Sequence, residues 1–211
     1  TSQTWQGIKW RHWMHVIRPT EVKHAGQAML VIGGGNSSKK EPSAKTFEVM
    51  LLREVAVQTG SVIVVVGQVP NQPLFDGKHE DSLIAHTFQQ FLDTKDESWP
   101  ALMPMTKAAM RAMDAATAFL AKKYEQKVEK FTVTGASKRG WTTWLTGAFD
   151  RRVEAIAPMV IDTLNFAKQM PLQVETFGQF SEEIDDYTKL DLPGKMMTEE
   201  GKRLVQIVDP Y

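Results

Sequence analysis

The chain has 211 residues, with 25 Lys and Arg balanced by 25 Asp and Glu. A formal net charge of zero removes the long-range field that nonspecific nucleic-acid and anionic-membrane binding relies on. The absence of cysteine excludes disulfides, thiolate metal sites and cysteine nucleophiles, and no apolar run approaches the roughly 20 residues of a membrane span.

Residues 8–18, rich in Trp and in residues suited to extended structure, predict one or two strands of an edge hairpin. Residues 28–32 (AMLVI) form a short apolar run stopped by Gly33, Gly34, Gly35 and Asn36, the pattern of a buried strand entering a loop. Pro42 opens an expected helix with Phe47, Met50, Leu51 and Val55 at helical spacing and Gly60 as terminator. Residues 62–66 (VIVVV) are β-branched throughout, as central parallel strands are. Residues 69–77 are turn-rich, after which Leu83, Ile84, Thr87, Phe88, Phe91 and Leu92 mark one face of a helix that breaks over 93–100. A long helix follows with Met105, Ala109, Ala112, Met113, Ala116, Phe119 and Leu120 on its stripe, the methionines serving as core filler. Then come a strand at 131–134, a helix with Trp141, Trp144, Leu145 and Ala148 inward, and a strand over 153–161. Residues 173–192 have no clear period, and 198–208 predict a helix. Alternating strands and helices predict an α/β fold with a mostly parallel sheet covered on both faces. Residues 1–162 read as its core and 163–211 as a cap or insertion.

The chemistry concentrates at residues 135–140, GASKRG. A serine between small residues at a strand-to-helix junction is how a hydrolase exposes a nucleophile, since the turn is strained and crowded. Ser137 is the expected nucleophile, with the Lys138 N–H at the helix amino terminus as one oxyanion donor. The glycine loop Gly34, Gly35, Asn36 supplies the expected second donor. The common motif has glycine two residues after the serine, whereas this chain has Arg139 there and glycine at position 140. The competing reading makes Ser137 a helix cap. Lys138 and Arg139 are expected at the mouth of the site, either as solvated helix residues or as a lure for an anionic substrate group. Glucuronoyl esterases also place a basic residue directly after their serine, which brings a sugar-acid ester into view.

Residues 69–74 (VPNQPL), 133–144 (VTGASKRGWTTW) and 158–162 (PMVID), together with the opening eight residues, closely resemble the PhoPQ-activated pathogenicity-related protein family. The resemblance covers nearly the whole chain. It implies an α/β-hydrolase fold, a secreted or periplasmic location and a predicted nucleophile at Ser137, with the acid and histidine on later strands for which the sequence has no matching positions.

All five histidines, His12, His15, His24, His79 and His86, precede Ser137, whereas the triad order of this fold is nucleophile, acid, base. That order, with an opening on Thr1 and a close on Tyr211, leads to the expectation of a shortened chain lacking the carboxyl-terminal strands. Its serine would then be weakly active or inactive for want of a base. Asp162, after the strand that follows the nucleophile helix, is a candidate triad acid or a helix cap. No pair of histidines has convincing metal-ligand spacing, so neither metal nor other cofactor is expected. The partner expected is a small-molecule ester or peptide substrate, with no nucleic acid and no integral membrane segment. The alternative is a secreted, non-catalytic binding or signalling protein on the same fold.

Overall fold

The five-strand sheet is built around segments whose side chains are apolar on both faces. A computed structural model describes residues 1–38, 43 and 45–211. Strands β1 (Gln3–Trp5) and β2 (Ile8–Trp10) form a separate antiparallel hairpin. The main sheet contains β3 (Met14–Ile17), β4 (Gln27–Ile32), β5 (Val62–Val66), β6 (Lys130–Ala136) and β7 (Val153–Met159), in the order β3-β5-β4-β6-β7. Only β3 runs antiparallel to its neighbour. The segment over 8–18, expected to supply one or two strands of an edge hairpin, is therefore divided. Its first part pairs with residues 3–5, and its second joins the main sheet as an edge strand.

The helices are α1 (Phe47–Thr59), α2 (Glu80–Thr94), α3 (Leu102–Tyr124), α4 (Lys138–Phe149), α5 (Phe166–Phe177), α6 (Asp185–Thr188), α7 (Leu192–Lys195) and α8 (Glu199–Val208), with a 3-10 turn at Glu182–Ile184. The expected helix start at Pro42 lies outside the described residues. In α1 the inward residues are Val49 and Ala56, while Phe47, Met50 and Leu51 are exposed. This short helix carries apolar residues on two faces, and the spacing fitted the outer one. The α2 and α3 stripes bury as expected, except that Phe119 turns outward beside Tyr124. On α4, Trp141 and Leu145 are buried but Ala148 is exposed, and Thr142, Thr143 and Thr146 fill the inner face. Their hydroxyls bond back to the carbonyls of Lys138, Arg139 and Thr142, which satisfies the buried oxygens.

Residues 163–211, which lacked a clear period until 198, are mostly short helices. Leu192, Leu204 and Val208 reach the same core as the sheet. Both carboxylate oxygens of Asp209 accept backbone N–H bonds, from Asn165 at 3.0 Å and Phe166 at 2.8 Å, so the two ends of this segment are tied together. Thr198 caps α8 by accepting the Gly201 N–H at 3.1 Å. Among the described residues no helix is long and apolar enough to cross a membrane.

In register, Ile32 lies opposite both Val66 and Gly135. The loops after β4, β5 and β6 therefore leave the sheet side by side at its carboxyl edge. The chain winds to one side of β4 and then to the other, and the crevice at such a reversal is where ligands bind in open α/β sheets.

Candidate functional site: the Ser137 elbow and its ion-pair network

Ser137 occupies φ +55° and ψ −126°, between the end of β6 and the start of α4. A β-carbon disfavours this backbone region, so the residue is held there by its surroundings. Its N–H donates to Met159 O at 2.9 Å, pinning the turn to β7. The first backward bond of α4 runs from Trp141 N to Ser137 O at 3.0 Å, which leaves the Lys138 N–H at the open helix start. Close packing explains the glycine spacing. A β-carbon at Gly135 would lie 2.7 Å from Arg139 O, and one at Gly140 would lie 2.5 Å from Ile161 Cγ2 and 2.9 Å from Met159 O. Glycine is thus required three residues after the serine, where α4 crosses β7. Position 139, freed of that constraint, carries a long side chain.

That side chain turns toward the start of α2. Arg139 donates from Nε to Val69 O at 2.6 Å and from Nη1 and Nη2 to the two oxygens of Glu80 at 2.6 and 2.7 Å. Lys138 is buried, with Nζ 2.9 Å from Glu80 Oε2 and 2.8 Å from Asp81 Oδ2. Gln72 bonds Glu80 through both ends of its amide, and its Nε2 also reaches Gly35 O at 3.2 Å. Gln68 Nε2 holds Asn36 O at 3.2 Å. Glu80 itself has φ +48°. Burial would raise its carboxyl, but hydrogen bonds from Arg139, Gln72 and Lys138 outweigh this and hold the group at about 2. On the far side Tyr187 Oη donates to Asp81 Oδ1 at 2.9 Å, and burial, with Asp81 beside it, pushes the phenol well above its ordinary range. One charge-assisted network therefore links the glycine loop, the start of α2, the elbow and the segment above it.

Ser137 borders a cavity of about 470 Å³ roofed by α5, α6 and α7. Phe88, Trp141, Phe166, Met170 and Leu192 form its apolar wall, and Asp81, Asp162, Thr163 and Glu183 also line it. Trp141 Nε1 donates to Val208 O at 2.6 Å, fastening the end of α8 to the elbow helix.

The model of the PhoPQ-activated pathogenicity-related protein family matches residues 1–211. The chain belongs to the PhoPQ-activated pathogenicity-related protein family. It is 38% identical over 224 aligned positions to Autocrine proliferation repressor protein A of Dictyostelium discoideum, a match that takes in 100% of this chain and 44% of that protein. The chain thus spans less than half the length of that curated relative. Among solved structures it resembles the acetyl xylan esterase from Paenibacillus sp. R4, with a TM-score of 0.59 and 13% identity over 94% of this chain and 59% of the esterase. At that identity the likeness is one of fold, and it agrees with the α/β-hydrolase architecture expected from the sequence.

This PhoPQ-activated pathogenicity-related protein places its expected site residues unequally. Ser137 and Asp162 line the same cavity. Lys138 presents its N–H at the open start of α4, but its side chain and that of Arg139 are neither solvated nor free to attract an anion, because Glu80 and Asp81 hold them. Gly34, Gly35 and Asn36 leave the neighbouring strand but do not border the cavity. Gly34 instead makes room for the guanidinium, since a β-carbon there would lie 2.5 Å from Arg139 Nη2.

None of the five histidines lines the cavity. His12 bonds Ser2 Oγ and Gly67 O, with burial lowering its pKa, His86 packs against Phe75 and Trp99, and His79 precedes α2. No cluster of three or more His, Asp and Glu among the described residues is placed to hold a metal ion. Sequence reasoning missed Glu80, Asp81, Gln72 and Tyr187. The readable signal was an acidic pair opening one helix and a basic pair opening another, on strands that end at the same sheet edge.

Proposed function

We propose that the protein is a serine hydrolase of esters or amides with Ser137 as nucleophile. The observation that carries this reading is the strained Ser137 backbone at a tight strand-to-helix turn, with the residue bordering a largely apolar cavity. In the reaction Ser137 Oγ attacks the carbonyl carbon while its proton passes to a base. The resulting oxyanion is held by the Lys138 N–H at the open start of α4. Collapse expels the alcohol or amine, which takes up the proton, and water then cleaves the acyl-enzyme. Asp162 is the candidate acid within the cavity, and the histidine would be supplied from outside these 211 residues. With no base at hand, this stretch alone would be weakly active or inactive.

A fluorophosphonate probe applied to the full-length protein and to the 211-residue chain tests the proposal, with the adduct mapped by mass spectrometry. Fast labelling of Ser137 in the full-length protein, lost in Ser137→Ala, is the expected result. A folded full-length protein that stays unlabelled overturns it.

A second reading, a secreted binding or signalling protein without turnover, is favoured by the lack of a histidine at the cavity and suits the name of the Dictyostelium relative, an autocrine proliferation repressor. From the family resemblance we propose that the protein is secreted or periplasmic. Detection of the endogenous protein in the culture medium or periplasmic fraction, rather than in the cytosol, is the expected result for location.

A further inference from the structure

Resting on the reading of Ser137 as nucleophile, we propose that the acyl group bound beside it is uncharged and apolar, and that anionic substrates are excluded. The wall is made of large apolar side chains in mutual contact: the rings of Trp141 and Phe166 lie 5.2 Å apart, and those of Phe88 and Trp141 lie 5.9 Å apart. Among the described residues Lys138 is the only cation lining the cavity, and its charge is spent between Glu80 and Asp81. Tyr187 Oη, the other strong donor, is committed to Asp81. Asp162 and Glu183 add two carboxylates for which no cationic partner is found among the described residues.

A carboxylate entering the cavity would lose its hydration against hydrocarbon and meet charges of its own sign, and both effects oppose binding. An ester or amide meets neither. The lining also holds the Thr163 hydroxyl, which is buried with no hydrogen-bond partner among the described residues. A buried hydroxyl without a partner is costly, and an amide or ester dipole relieves that cost. The same charges argue against the sugar-acid ester raised by the glucuronoyl-esterase parallel, since the basic residue after the serine is already neutralised.

The test measures binding rather than turnover. Full-length Ser137→Ala protein is titrated calorimetrically with octanamide and with sodium octanoate at pH 7.5. Octanamide is expected to bind and octanoate to bind roughly tenfold more weakly or worse. Thr163→Val should weaken octanamide severalfold, and Met170→Lys should weaken octanamide and strengthen octanoate. Octanoate binding as tightly as the amide overturns the proposal, as does failure of both ligands to bind a cooperatively melting protein. Octanamide binding unchanged in both Thr163→Val and Met170→Lys also overturns it, since the ligand would then sit elsewhere. Because Ser137→Ala carries no nucleophile, this result stands apart from the labelling experiment. A cavity that selects the amide in a protein that never labels leaves the selectivity intact and removes the catalytic reading alone.

Discussion

Arg139 and Glu80, 59 residues apart, form a two-point ion pair behind the Ser137 turn, with the guanidinium also fixed to Val69 O. The carboxylate end of that pair is half-buried, so solvent screening keeps its worth below that of a fully buried pair. We expect Glu80→Gln to cost about 1–2 kcal/mol at pH 7. The pH dependence has a definite sign. The folded-state value of about 2 lies below the ordinary 4.5, so ionised Glu80 stabilises the fold above pH 4.5, and that contribution drains away as pH falls through 2. Urea melts between pH 6 and 2 should show a shallower acid decline in Glu80→Gln than in wild type. Parallel declines would mean that Glu80 does not carry this linkage.

Gly34 and Arg139 are coupled by volume. A methyl group at position 34 would lie 2.5 Å from Nη2 and 2.8 Å from Cζ of Arg139. A free arginine would swing aside at little cost, but this one is bonded at three nitrogens. Gly34→Ala should therefore destabilise by about 1–3 kcal/mol, and the penalty should largely vanish in an Arg139→Ala background. A double-mutant cycle in chemical denaturation measures the coupling. Additive costs would show that the methyl clashes with something other than the guanidinium.

That pair also shows how far the sequence could be read. The elbow was legible because its cause is local: residues 135–140 contain the small side chains that a tight turn demands, and the sheet followed from apolar runs bounded by turns. The role of Gly34 was not legible, because its reason lies 105 positions later in the guanidinium of Arg139. Lys138 and Arg139 read as surface charge because Glu80 and Asp81 sit on a different helix, and only the strand order shows that α2 and α4 begin side by side. On α1 the periodicity reports a stripe without saying which of two stripes meets the sheet. The helices of 166–195 have irregular boundaries, and α6 and α7, at four residues each, are too short for a period to emerge. Asn165 and Asp191 enter them in the left-handed region, a start that no propensity pattern announces.

Asp209 provides a test of how the roof is held over the site. Its two oxygens accept from Asn165 N and Phe166 N, one stretch of chain receiving the other as a helix cap does. Asp209→Ala should cost about 1–2 kcal/mol, and the loss should fall mainly on residues 163–180. Hydrogen exchange of the amides in that segment should quicken while those of β4 and β6 keep their protection. Uniform loss of protection would show that the segment and the sheet open as one unit.

Ser137 itself offers the sharpest sign test. Holding a residue with a β-carbon at φ +55° and ψ −126° costs on the order of 1–3 kcal/mol, and glycine would remove that cost while adding about 0.5–1 kcal/mol of unfolded-chain entropy. Ser137→Gly should therefore be more stable than wild type by about 1 kcal/mol, a rise in Tm of roughly 2–4 °C for a chain of this length. Ser137→Ala, which keeps the β-carbon, should stay within about 0.5 kcal/mol of wild type. Such a gain from deleting the proposed nucleophile is the signature of a turn maintained for chemistry at the expense of stability. Thermal melts of the three proteins decide the matter. A Ser137→Gly protein that melts below Ser137→Ala would show that the turn is not strained, and the geometric support for a nucleophile would go with it.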